Sequence, residues 1–137
     1  MKIKIIACGR EKEKDFKEYE EDLKRRISPF AKLSLVYVSK ETEFHKHIPK
    51  DKFFYLLDVK GKEVDSYEFA KFLDSSEVVF LVGPPEGFSK VFRDKVEDRA
   101  TVISLSRLTF PHRLCKLILL EQIYRGFCIQ KNLPYAK

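Results

Sequence analysis

Apolar residues gather in five short runs along the chain, each closed by polar or turn-forming residues. They are KIKIIAC (Lys2–Cys8), LSLVYV (Leu33–Val38), FFYLLDV (Phe53–Val59), VVFLV (Val78–Val82) and TVISLS (Thr101–Ser106). Runs of this length, rich in Val, Ile and Phe, predict strands. The intervening segments carry helical spacing. Phe16, Tyr19, Leu23 and Ile27 form a stripe that predicts a helix from about Glu11 to Ile27, ended by Ser28-Pro29. Asp65 or Ser66 caps a short helix bearing Phe69, Phe72 and Leu73. A third helix runs from Ser89 to about Asp98. A long fourth helix starts at Pro111, with Leu114, Leu117, Ile118, Ile123 and Phe127 on its apolar side. The polar stretch Ser39 to Asp51 predicts no more than one helical turn.

Strand and helix alternate, and several strands are apolar throughout. That pattern predicts an α/β fold: a mostly parallel sheet with helices on both faces, in one domain spanning residues 1–137. Ligands of such sheets bind beyond the carboxyl ends of the strands. Gly9, Gly61 and Gly83 fall just past the first, third and fourth runs, with Lys60-Gly61 closing the third. The chemistry is expected on that edge.

Composition narrows the classes. No apolar run approaches the ~18 residues of a membrane span, and the apolar start is too short for a signal peptide, so a cytoplasmic protein is expected. Three cysteines, Cys8, Cys115 and Cys128, lack metal spacing and fit free thiols, the last two buried in the final helix. The net charge of +6 admits a polyanionic partner without requiring one. From Pro111 onward the basic residues Arg113, Lys116, Arg125, Lys131 and Lys137 face one acid, Glu121, so this end is where a nucleic acid would dock. His45 and His47 have no Cys or acid at ligand spacing, which argues against zinc.

Two loops carry the candidate chemistry. GPPEGFS follows the fourth strand, where phosphate-binding loops often lie, yet Pro84 and Pro85 have no backbone N–H to offer. Neither G-x-G-x-x-G nor G-x-x-x-x-G-K-[ST] is present, which counts against a nucleotide hydrolase or kinase. Glu86 could serve as a base, but capping the following helix suits it better. LSRLTFPH follows the fifth strand and is unusually apolar for a connection. Leu105, Leu108 and Phe110 could wall an adenine, or could plug the core.

GPPEGFS, then LSRLTFPHRL, then LLEQIYRGFCIQKNLPY, in that order, resemble the ribosomal large subunit methyltransferase H family within the SPOUT superfamily. KIKIIACG and LLDVKGK match too, so the resemblance spans essentially the whole chain. Two departures are visible: Pro84 stands where relatives commonly have a second glycine, and the segment from Ser39 to Asp51 is shortened. The resemblance implies a homodimer with a C-terminal trefoil knot that binds S-adenosyl-L-methionine without a metal. It also implies the substrate, a pseudouridine of large-subunit ribosomal RNA methylated at N3 in the assembled ribosome.

By that resemblance Leu57, Gly83, Leu105, Ser106, Arg107, Leu108, Thr109 and Phe110 contact the cofactor. His112, Arg125 and Tyr135 are the candidates for holding the target base and its phosphates. The tail NLPYAK is expected to be ordered against a partner subunit, with Tyr135 stacking on a base or ribose. The apolar residues on several sides of the last helix, Leu119 and Leu120 beside Leu117 and Ile118, are likewise expected to meet a second copy. A non-catalytic RNA-binding module is the competing expectation. It would explain the basic end but not the apolar loop.

Overall fold

The computed structural model describes residues 1–9 and 16–136. Its elements, in chain order, are β1 (Lys2–Cys8), α1 (Lys17–Ile27), β2 (Lys32–Val38), a 3-10 turn (Glu41–Lys46), β3 (Phe54–Glu63) and α2 (Ser66–Phe72). There follow β4 (Glu77–Val82), α3 (Lys90–Val96), β5 (Ala100–Ser104), α4 (His112–Gln130) and a second 3-10 turn (Pro134–Ala136). All five strands pair in parallel, in the order β2-β1-β4-β3-β5. The expected α/β sheet is thus wholly parallel.

Alternation along the central strands sorts side chains to the two faces. On one face Ile3 and Ile5 of β1 and Val78 and Phe80 of β4 pack with Leu23 of α1, Phe69 of α2 and its C-cap Leu73, and Leu120 of α4. On the other, Ile6 and Leu81 pack with Phe44 of the 3-10 turn and with Phe88 and Phe92 at α3. Crossovers toward the β2 edge, through α1 and α2, use the first face. Those toward the β5 edge, through the 3-10 turn and α3, use the second. A single crossover hand requires this division.

The shortened segment is well anchored. Phe44 is fully buried against Phe88 and Phe92, at 5.5 Å between ring centroids in each case. Glu41 accepts from the Ser89 backbone N–H at 2.8 Å and from its hydroxyl. Ser89 in turn caps α3 by accepting from the Phe92 N–H at 3.1 Å. The cap duty expected of Glu86 therefore falls to Ser89, backed by Glu41.

Three expectations need correction. Leu23 and Ile27 of α1 are buried, but Phe16 and Tyr19 are about half exposed, so the core stripe covers only the end of that helix. Phe16 itself is the N-cap, with φ 65°, and the expected start near Glu11 lies outside the described residues. β3 does not stop at Lys60-Gly61: it bulges after Leu57 and rejoins β5, with Lys62 opposite Ile103 and Glu63 opposite Ser104. A Cβ at Gly61 would meet the Ile103 and Val102 backbone at 2.8 Å, so only glycine lets the strand return this close. The third correction concerns α4. Leu119 and Leu120 are fully buried within one chain, because α1 and α2 flank the helix as well as the sheet. Its many-sided apolarity needs no second copy to cover it.

Candidate functional site

The carboxyl ends of β4, β3 and β5 lie side by side, and the loops leaving them enclose a cavity of 360 Å³. β3 contributes Leu57 and the bulge residues Asp58, Val59 and Lys60. β4 contributes Val82 and the loop from Gly83 to Gly87. β5 contributes Ser104 and a loop including Leu105, Ser106, Leu108, Thr109 and Phe110. Cys115, in the first turn of α4, completes the wall.

Each loop is set by local chemistry. Pro84 to Gly87 is a turn closed by the Gly87 N–H donating to the Pro84 carbonyl at 2.8 Å. Pro85 suits the second position of such a turn, and Gly87 takes φ +86° at its end. In the β5 loop the buried Ser104 hydroxyl donates to the Ser106 carbonyl at 2.8 Å. The Ser106 hydroxyl then accepts from the Leu108 N–H at 3.0 Å. These two bonds hold the loop open over the cavity and leave Leu108 69% exposed at the surface.

Seven of the eight expected cofactor residues therefore line one cavity. Arg107 does not. Its side chain is 85% exposed and pairs with Glu63 on the returning part of β3. Gly83 lines the cavity, but a Cβ there would meet the Phe88 ring at 2.7 Å. Replacing it disturbs the core behind the loop as well as the cavity, so Gly83 does not isolate ligand approach. His112 opens α4, and its side chain lies outside those described.

Arg125 and Tyr135 sit elsewhere. Arg125 is ten residues beyond Cys115, about 15 Å along α4. It donates to Glu121 at 2.9 Å and to the Tyr135 carbonyl at 3.3 Å, and its guanidinium lies 4.8 Å from the Tyr135 ring centroid. The Tyr135 hydroxyl donates to Glu121 at 2.8 Å, and its ring packs edge-on against Tyr124. The tail is thus ordered against its own α4. Burial, reinforced by the bond and charge of Glu121, pushes the Tyr135 phenol up to about 12.

The basic end is less free than its composition suggests. Lys116 is 7% exposed and donates to the Tyr37 hydroxyl at 2.6 Å, while its ammonium lies 2.7 Å from Glu20. Burial alone would lower the Lys116 pKa, but Glu20 and Tyr37 outweigh it and raise it. With Arg125 paired to Glu121, Lys116 and Arg125 both already have acidic partners.

The whole length of the fold matches one family. The family model described as "Predicted SPOUT methyltransferase" covers residues 1–136. Relatives named ribosomal RNA large subunit methyltransferase H align end to end. The protein of Coprothermobacter proteolyticus is 38% identical over all of both chains, and that of Mycoplasmopsis synoviae 36% over all of both. The protein of Caldicellulosiruptor saccharolyticus is 35% identical over 98% of this chain and 99% of its own. The chain belongs to the methyltransferase H family of SPOUT methyltransferases.

For a SPOUT methyltransferase the cavity chemistry is apt. Its walls combine apolar side chains with the backbone of two loops, and the prolines remove the donors a phosphate would need. No group of three or more His, Cys, Asp or Glu able to hold a metal occurs among the described residues. No described helix is long and apolar enough to cross a membrane. Sequence reasoning had missed two groups in the wall. Cys115, expected to be buried, faces the cavity half-buried, and burial pushes its thiol up. Asp58 was hidden inside a run that reads as plain strand.

Proposed function

We propose that this methyltransferase uses S-adenosyl-L-methionine to methylate N3 of a pseudouridine in large-subunit ribosomal RNA, on the assembled ribosome in the cytoplasm. The observation that carries the reading is the cavity itself. Three loops from neighbouring strand ends form a phosphate-averse pocket of 360 Å³, within the usual size of a small-molecule site. Leu57, Leu105 and Phe110 suit the faces of an adenine, and the loop backbone suits its edge. When bound, the cofactor supplies a methyl group already activated on a sulfonium, so the protein's task is to bind, orient and exclude water. Leu108, exposed beside the cavity, would lie under an incoming base.

The reading includes a homodimer and a trefoil knot in the C-terminal part, both taken from the resemblance. With Arg125 as a substrate residue, the separation along α4 supports the dimer. Arg125, proposed with Tyr135 to hold the target nucleotide, lies about 15 Å along α4 from Cys115 in the cavity wall of its own chain. A second copy that brought its cavity alongside would place a methyl donor near a base held there. His112, at the head of α4, is proposed to assist in positioning the base.

The deciding experiment is mass spectrometry of ribosomal RNA from cells lacking the gene. Loss of one methylated pseudouridine, restored by the purified protein on isolated ribosomes, is the expected result. Unchanged rRNA methylation would overturn the substrate assignment. Calorimetry with S-adenosyl-L-methionine separates the enzyme from an RNA-binding module, which would give no heat.

A further inference from the structure

The β3 bulge places one carboxylate on the wall of the cavity at a position that the family resemblance did not assign. Asp58 follows Leu57 at the point where β3 leaves its register with β5. Its side chain is 14% exposed and lines the cavity. Oδ1 accepts from the Lys60 N–H at 2.9 Å, a turn that fixes the carboxylate's direction. Oδ2 has the Arg93 Nη1 at 3.9 Å, beyond hydrogen-bonding distance. A carboxylate has about four acceptor positions, so the Lys60 bond leaves this one able to accept more.

Other charged groups line the cavity among the described residues. Glu86 and Lys60 also line the cavity, but both are exposed and oppose one another in sign. Arg93 stands behind Asp58 on α3, and its Nε is buried without a hydrogen-bond partner. Among the described residues Asp58 is therefore the least exposed charge on the wall. Charges at such positions interact more strongly than exposed ones, because less water lies between.

We infer that Asp58 is a specificity residue that gives the cavity its preference for the cationic methyl donor over the neutral thioether product. The inference rests on the cavity being the cofactor site. Donor and product differ by one methyl group and one positive charge on sulfur. A carboxylate on the wall of so small a cavity acts on that charge without touching it, whereas the apolar walls bind both molecules alike. Such a preference favours release of product after each turnover. Arg93 tempers it, since its charge opposes that of Asp58 at the same place.

The test is calorimetry of the full-length protein with three probes: S-adenosylmethionine, S-adenosylhomocysteine and methylthioadenosine, which lacks the amino-acid part and the charge. Asp58→Asn keeps the size and the turn to Lys60. It should lower the donor-to-product affinity ratio about tenfold and leave methylthioadenosine binding unchanged. Arg93→Met, removing the opposing charge, should raise the same ratio. If Asp58→Asn leaves the ratio as in the wild type, or weakens all three probes equally, the inference fails. A fall in the ratio with Arg93→Met would also overturn it. A wild-type protein that binds none of the three overturns the cofactor assignment, and the inference with it. Wild-type binding with an unmoved ratio in the variant overturns the inference alone.

Discussion

The hydroxyl of Tyr135 donates to Glu121 at 2.8 Å and so ties the turn Pro134–Ala136 back onto α4. Glu121 also holds Arg125, so one carboxylate organises both residues proposed to meet the RNA. Arg125 retains 26% side-chain exposure in this pairing, enough for a phosphate to share it. Order here comes from within the chain, and the tail is pre-shaped before any substrate arrives.

That arrangement sets the two proposed substrate residues apart from the residues proposed to bind the cofactor. Arg125→Ala and Tyr135→Ala should each cost ~1–3 kcal/mol in the methylation of purified, unmodified ribosomes. Affinity for S-adenosylmethionine should hardly change. Tyr135→Phe keeps the ring on Arg125 and should cost less than Tyr135→Ala. Full methylation by both alanine variants would refute the assignment.

The Tyr135 phenol also predicts a response to pH. Its folded value is pushed from 10.0 up to about 12 by burial and by Glu121, so the folded state holds this proton more tightly than the unfolded one. The associated stability is complete below pH 10 and is lost as pH rises from 10 to about 12. Phenolate absorbance of the wild type minus that of Tyr135→Phe should show a group titrating above the ordinary tyrosine range. In Glu121→Gln the same difference should move down toward 10.0.

Lys116 and Glu20 join α4 to α1 across 2.7 Å, with side chains 9% and 15% exposed. Burial pushes the Glu20 carboxyl up, but the bond and charge of Lys116, helped by Lys24, leave it below its ordinary value. Its contribution is thus present above the unfolded carboxyl range and is lost as pH falls through the folded value. Lys116→Met leaves the Glu20 carboxylate, 15% exposed, with the Lys24 ammonium at 3.3 Å, and should cost about 1–3 kcal/mol in urea unfolding. The double change Glu20→Gln with Lys116→Met should recover much of that loss.

The outline of the fold was legible because the central strands are buried on both faces and written as unbroken apolar runs. The cavity loops were legible because prolines and an apolar connection are out of place at strand ends. What failed did so for tertiary reasons. Gly61 signals a stop in one dimension, but here it is the residue that lets β3 lie against the Ile103 backbone. Leu119 and Leu120 look surplus until α1 and α2 are placed beside α4. Lys116 looks like an RNA contact until Glu20, nearly a hundred residues earlier, arrives at its ammonium. Charge counts along a chain cannot reveal such pairings.

A dimer remains the expected state, now argued from the separation of Arg125 and the cavity rather than from α4. Light scattering at micromolar concentration should give about twice the 16.2 kDa of one chain. A value near 16.2 kDa would remove the shared site.

Gly61 supplies the sharpest test of the cavity's construction. A methyl group there has backbone atoms, not flexible side chains, at 2.8 Å, so neither strand can give way cheaply. Gly61→Ala should cost about 1–3 kcal/mol in unfolding free energy. Because residues 58–60 of the bulge form one wall, the same change should weaken S-adenosylmethionine binding in the molecules that remain folded. Gly87→Ala meets no atom within 4 Å, and its only penalty is φ +86°, so it should be milder in unfolding and should shift the Pro84 turn. Denaturant unfolding beside calorimetry measures both quantities. If Gly61→Ala matches the wild type in each, the return of β3 onto β5 does not build this wall.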